Sequence, residues 1–376
     1  MVGTVVGAGF GSGQELLRFF TSFGKWGTVG LLLAVALFWA AGAQAIAISH
    51  RKRVSSYHEI LAEVCGRTAA PFVDLIVVSM FFGGLAVMIA AGGAVVQQEF
   101  GWPYWTGALV MAGLTALTNL FGLKGITRVN TTVVVAMIVA IFMVCGSTLT
   151  GGVKAGPGTS WARVEGLSPF GHIPPSPVLP VMTEEPDIPA ATPLPPQPAD
   201  LRPAPWWPVS SFLYVAYNLL LAMGVLAPLA ARCHRSSVAH RGASMAWLVL
   251  LSTAMASHLA MSANWRLVAG TEVPMVQLAA GMGPVMLGIY AAVLWVEVYT
   301  TAVASLYGLT VRVAGEGRRA YPLAVGLFTG AALAVSGYGF SSLVGAIYPA
   351  FGVAGLWFLL GLLTMPLRRG LQRTEV

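Results

Sequence analysis

Ten long apolar stretches, parted by short segments that hold almost all of the charge, leave this chain few folds to choose from. They fall at 2–20, 27–49, 71–96, 103–121, 129–149, 209–231, 243–264, 278–308, 321–338 and 341–364. Crossing the hydrocarbon core of a bilayer takes about 20 mostly apolar residues in a helix. Only 9% of the 376 residues are charged, against roughly 25% in soluble domains, so a water-facing surface cannot be built from them. Short alternating segments with regular turn signals are absent, which excludes an outer-membrane barrel. The sequence therefore predicts one all-α membrane domain of ten transmembrane helices.

The basic residues orient it. With the N-terminus in the cytoplasm, fifteen of the 21 Lys and Arg residues fall in cytoplasmic segments, among them Arg51-Lys52-Arg53, Arg232, Arg235, Arg318-Arg319 and Arg368-Arg369. The other six lie outside, three of them in one long loop, and this bias is what the positive-inside rule demands. We expect a multi-pass protein of the bacterial inner membrane with both termini cytoplasmic. The formal charge of +7 is spread over these loops, so no nucleic-acid partner is expected; lipid and a small-molecule solute are. Three scattered cysteines imply no disulfide framework, and no CxxC or HExxH spacing implies a metal cluster. No cleavable signal precedes the first span, whose apolar start is short, and we expect the native start to lie upstream of Met1.

Residues 150–208 differ in kind, with fifteen prolines from Pro157 to Pro208. Such a stretch buries too little apolar surface to fold alone, and it reads as an outer insertion. It divides the chain into a first five-helix unit (1–149), the insertion (150–208) and a second five-helix unit (209–376).

Three places carry chemistry. In the first span Gly7-Ala8-Gly9-Phe10-Gly11-Ser12-Gly13 sets four alternating glycines ahead of Gln14 and Glu15. Glycine costs up to ~1 kcal/mol per residue in a helix interior, so this run predicts a broken helix. A small-residue contact between helices is the plainer alternative, but it needs no alternate glycines. At the matching place in the second unit, span six carries Tyr214, Tyr217 and Asn218 in an aliphatic run. A polar amide there must find a partner, and paired interruptions in two halves point to a transporter's central site. We expected span six to be discontinuous as well. In span eight Glu297 shares a helix face with Thr300 and Thr301, three oxygen-bearing side chains that suit a small cation or a relay proton. Phe81 and Gly84 in span three are further candidates for lining a pocket. Glu15 is expected at the outer end of the cavity, and His258 as a satisfied core histidine.

These residues resemble a known family. Gly3 to Glu15, with Tyr217-Asn218, Glu297, Thr300-Thr301 and Tyr307-Gly308, resembles the YkvI-like family of bacterial membrane proteins over the ten helices, but not over the insertion. That family looks like a relative of the amino acid–polyamine–organocation superfamily. The resemblance implies the LeuT-type fold of two inverted five-helix repeats, with solute held by broken helices one and six. It also implies a sodium site, with carbonyls of Gly7, Ala8 and Phe10 facing the hydroxyls of Thr300 and Thr301. Glu297 stands where the sodium-coupled pattern has a small residue, which brings proton coupling forward.

Taken together, these features predict a secondary transporter, cation-coupled, for a small polar or amino-acid-like solute. Freed amides of helix one would bind a carboxylate, with Tyr217 and Asn218 orienting it. A receptor on the same fold that binds without transporting is the alternative. An enzyme is not expected, because no nucleophile and base, or cluster of metal ligands, falls together.

Overall fold

The computed structural model describes residues 8–52, 59–60, 63–64, 66, 70–121, 126–151, 201–232, 236–315 and 319–374. Among them the chain is helical throughout, without strands. The N-terminal segment gives α1 (Ala8–Ser12) and α2 (Gln14–Phe19), then a 3₁₀ turn (Thr21–Phe23) leads into α3 (Lys25–Lys52). The first unit continues with α4 (Ala70–Phe100), α5 (Tyr104–Phe121) and α6 (Ile126–Gly151). The second holds α7 (Trp207–Arg232), α8 (Ser236–Ala263), the short α9 (Trp265–Val268) and α10 (Pro274–Ala280), then α11 (Pro284–Ala314), α12 (Tyr321–Ser336) and α13 (Phe340–Thr374).

Among the described residues the apolar stretches are largely helical, and six helices are long and apolar enough to cross a membrane: α3, α4, α6, α8, α11 and α13. Their outward faces are apolar, with Val285 75% and Trp357 72% exposed, surface that in water would be costly and in lipid is ordinary. Most of the insertion, 152–200, lies outside the described residues, as does Gly7.

Two expectations are corrected. Span eight does not begin at 278: Leu278 to Ala280 belong to α10, and α11 starts at Pro284 behind Gly283. The short α10 buries Met275, Val276 and Leu278, in a segment between spans seven and eight to which the sequence reading assigned no helix before position 278. Span six is not discontinuous either. α7 runs unbroken through Tyr217 and Asn218, because that stretch has no glycine and the Asn218 amide is satisfied on its own helix, donating to the Tyr214 carbonyl at 3.2 Å.

The helices pack in a repeating pattern. α4 lies on α11, α3 on α8 and α5 on α12; α4 also packs on α5, and α11 on α12. α11 meets α5 and α6, while α4 meets α12 and α13. α7 is wedged between α3 and α13. α13 comes this close because of Gly352 and Gly355: a Cβ there would sit 2.7 Å from the Leu213 carbonyl oxygen and 2.8 Å from that of Ala216.

One end of the bundle is laced together. Arg202 donates to the Ser22 carbonyl, Arg18 to the Ser341 hydroxyl, Gln14 to the Thr271 carbonyl, and the Ser341 amide donates to Glu272. Gln98 both donates to the Val273 carbonyl and accepts from its amide. These bonds join the junctions after α2, α4, α8 and α12 to the one before α7, the same junctions the charge bias places outside.

Candidate functional site

The N-terminal helix breaks where the glycines predict. Gly13 adopts φ 84°, a left-handed conformation that side chains disfavour. Its N–H turns back to the Phe10 carbonyl (3.0 Å), and the Ser12 hydroxyl donates to the Gly9 carbonyl (2.9 Å) while accepting the Gln14 N–H (3.2 Å). Serine's local bonding thus replaces the helix ladder for one turn. The Gly11 carbonyl, released from the ladder, accepts from the Tyr290 hydroxyl of α11 at 2.7 Å.

Two carboxylates flank this break. Glu15 folds back so that its carboxylate occupies the space a Cβ on Gly9 would need, and the Tyr217 hydroxyl donates to it. Glu297 comes from the other side: a Cβ on Gly11 would stand 3.5 Å from its Oε2, with Met137 and Leu294 alongside. Among the described residues neither oxygen of Glu297 has a hydrogen-bond partner, although the residue is only 1% exposed. Buried carboxylates are costly in a membrane and mark function rather than packing. At 1.5 Å per residue Tyr217 lies ~15 Å and Glu297 ~20 Å from the starts of their helices, so both are near mid-bundle. Glu15 is therefore central, not at the outer end of the cavity.

Aromatic rings wall the Glu15 side. Tyr217 packs on Tyr348 (centroids 5.1 Å), Tyr214 (5.6 Å) and Phe19 (5.8 Å), and Tyr214 also meets Phe20 (4.9 Å). All of these side chains, with Phe10, are buried. The site is closed to solvent.

Of the sequence candidates, the structure brings together Gly9, Phe10, Gly11, Ser12, Gly13, Tyr214, Tyr217, Glu297 and, through its backbone, Ala8. Asn218 is buried but turned to its own helix. The Thr300 hydroxyl donates to the Glu297 carbonyl (3.0 Å), and Thr301 is half-buried one position on. Phe81 and Gly84 sit elsewhere, against Gly308 and Ser305 lower on α11. Tyr290 and Tyr348 were missed. Tyr290, Leu294 and Glu297 follow one helix face, so spacing from Glu297 could have found the first; nothing local marks the second. His258 is held at both nitrogens, by Thr21 (3.0 Å) and Thr28 (2.9 Å).

Two relatives from Bacillus subtilis (strain 168) align along nearly the whole chain. Uncharacterized membrane protein YkvI is 29% identical over 376 residues, covering 98% of this chain and 96% of its own. Uncharacterized protein YyaD is 22% identical over 367 residues, covering 98% and 95%. The likeness supports a YkvI-like membrane protein family. No family model matches. With its apolar helices, this similarity makes the chain a multi-pass membrane protein.

Proposed function

We propose that the protein is a secondary active transporter that couples uptake of a small polar solute to a cation gradient by alternating access. One observation carries the reading: a helix broken at Gly13 inside the buried core, with the unpartnered carboxylate of Glu297 facing it. Backbone leaves its helix at such depth only where it lines a cavity or packs in protein.

Packing supports ten spans arranged as two inverted repeats in a LeuT-like fold. Exchanging each helix of the first unit for its counterpart in the second (α3 for α8, α4 for α11, α5 for α12, α6 for α13) turns observed contacts into observed contacts. The pairs α3·α8, α4·α11 and α5·α12 map onto themselves; α4·α5 becomes α11·α12, and α6·α11 becomes α13·α4. The unbroken α7 departs from strict equivalence with α1–α2. The outer lacing agrees with both termini at the cytoplasmic face of the inner membrane.

The donor set favours a proton over sodium as the coupling ion. A hard cation needs several converging oxygens, yet the Phe10 and Gly11 carbonyls already accept hydrogen bonds and the Thr300 hydroxyl is turned to its own helix. Glu297 is left as the group that takes up and releases the ion. His258 is tied to two threonines, which is the satisfied core role expected of it.

Counterflow in proteoliposomes tests this. Wild-type protein should exchange labelled solute across the bilayer, and Glu297→Gln should abolish the pH dependence of net uptake while preserving exchange. Net uptake by Glu297→Gln with unaltered pH and sodium dependence removes that residue's role. Saturable binding with no counterflow makes the protein a receptor instead.

A further inference from the structure

We propose that a pocket at one end of the bundle holds the headgroup of an anionic phospholipid, with its phosphate on Arg202 and its acyl chains laid along α3. This goes beyond the transporter reading and does not depend on it; it needs only a protein that spans a bilayer.

The pocket is a cavity of about 400 Å³ between the starts of α3 and α7, at the end that the charge bias places outside. Phe23, Trp26, Arg202, Trp206 and Trp207 line it, with two prolines, and no acidic side chain does. Arg202 is held in position. Its Nε donates to the Ser22 carbonyl at 3.1 Å, and its guanidinium carbon lies 5.1 Å from the centre of the Phe23 ring. Among the described residues its two Nη nitrogens have no hydrogen-bond or ion-pair partner. A fixed guanidinium with those N–H groups unspent, in a pocket without a counter-charge, matches a phosphate, which accepts two of them at once.

Positive charge is scarce at this end of the bundle, where only six Lys and Arg residues fall. Two of the six stand at this corner: Arg202, and Lys25, exposed on the first turn of α3 beside Trp26. An anionic headgroup is favoured there over a zwitterionic one.

The surroundings favour a lipid over a free anion. Trp26 is 53% exposed, and from it an exposed apolar face of α3 continues at helical spacing through Val29, Leu32 and Trp39. A headgroup seated on Arg202 delivers its acyl chains onto that face. Trp26 and Trp207 stack with centroids 6.0 Å apart and planes within 6° of parallel, and Trp206 is 71% exposed beside them. Indoles settle at the headgroup level of a bilayer, so three of them mark that level here. The pocket also touches the broken helix. Phe23 and Ser22 belong to the 3₁₀ turn that follows α2, and the Ser22 hydroxyl donates back to the Arg18 carbonyl. A lipid on Arg202 therefore braces the joint between α2 and α3.

The test uses full-length protein, delipidated in an uncharged detergent, and its thermal unfolding midpoint at fixed ionic strength. The probe is dioleoylphosphatidylglycerol. The controls are dioleoylphosphatidylcholine, with the same chains, and glycerophosphoglycerol, the headgroup without chains. Phosphatidylglycerol should raise the midpoint saturably, phosphatidylcholine should do so less, and the chain-free headgroup should be inert. Arg202→Gln should raise the half-saturating phosphatidylglycerol concentration about fivefold and leave the phosphatidylcholine response unchanged. Should that variant fail to fold, Trp26→Leu, which leaves Arg202 and its bond to Ser22, should weaken phosphatidylglycerol too. Arg312→Gln, at the opposite end of α11, should not. The proposal is overturned by no shift with phosphatidylglycerol, by an equal response to phosphatidylcholine, or by a full response to the chain-free headgroup, which would make the site one for a soluble phosphate. An effect that Arg202→Gln and Trp26→Leu leave intact, or that Arg312→Gln weakens equally, overturns it as well.

Discussion

Replacing Gly352 or Gly355 with alanine should push α13 off α7 and destabilise the protein. The added Cβ would lie 2.7 Å from the Leu213 oxygen or 2.8 Å from the Ala216 oxygen, where ordinary contact begins at 3.4 Å. Both obstacles are backbone atoms of a helix wedged on its far side by α3, so neither can swing aside. The helices must separate locally by roughly 0.6–0.7 Å, and overpacking of this kind costs about 1–3 kcal/mol. Alanine's better helix propensity returns up to ~1 kcal/mol, leaving a net loss of up to about 2 kcal/mol for each variant when that return is complete. One displacement relieves both clashes, so the double variant should lose clearly less than the sum of the singles. Denaturant unfolding in bicelles measures all three. Gly326→Ala on α12 is the control: nothing lies within 4 Å of its Cβ, so it should be neutral or mildly stabilising. If Gly352→Ala and Gly355→Ala behave like that control, the close α7–α13 packing is wrong, and so is the placement of Tyr214 and Tyr217 that depends on it.

Other expectations follow from single contacts. His258→Ala removes two hydrogen bonds that tie α8 to the 3₁₀ turn at Thr21 and to α3 at Thr28, and should cost about 2 kcal/mol in the same unfolding assay. Burial raises the Glu272 carboxyl above its ordinary 4.5, an effect only partly offset by the Ser341 amide and by Arg18. Its stability contribution is thus complete below that value and lost as pH rises past it, so Glu272→Gln should raise the unfolding midpoint at pH 8 and flatten its pH dependence. Gln98→Ala cuts both bonds to Val273, and a cysteine placed at Thr271 should then react faster with maleimide; an unchanged rate would mean the clamp does not hold that loop.

Helix positions are legible in this sequence because lipid makes hydropathy a direct signal, and the break at Gly13 because glycine and serine act on their own backbone. The Glu297 proposal was legible for a similar reason, since an acid inside an apolar run is conspicuous whatever surrounds it. Contacts between distant segments were not. Glu15 meets Tyr217 across some two hundred positions of chain, and Tyr348 joins them from the last helix; no local spacing encodes either meeting. The error at span six has a definite cause. A polar pair in an apolar run signals burial, and burial alone does not unwind a helix when the side chain can bond to its own turn, as Asn218 does. α9–α10 escaped notice because short helices that pack inward look like an apolar loop joined to the next span.

The left-handed residue at position 13 divides the work of motion unequally. α1 is pinned to α11 through Tyr290 and joined to α2 at Gly13, with the Glu15 side chain folded back onto Gly9, whereas α7 runs unbroken. In the transport cycle proposed above, α1 and α11 would swing together about Gly13, past the helix that bears Tyr214 and Tyr217. Each such swing would draw Glu297 and Glu15 apart or press them together, so the separation of these two carboxyl groups would track the motion of the proposed transporter.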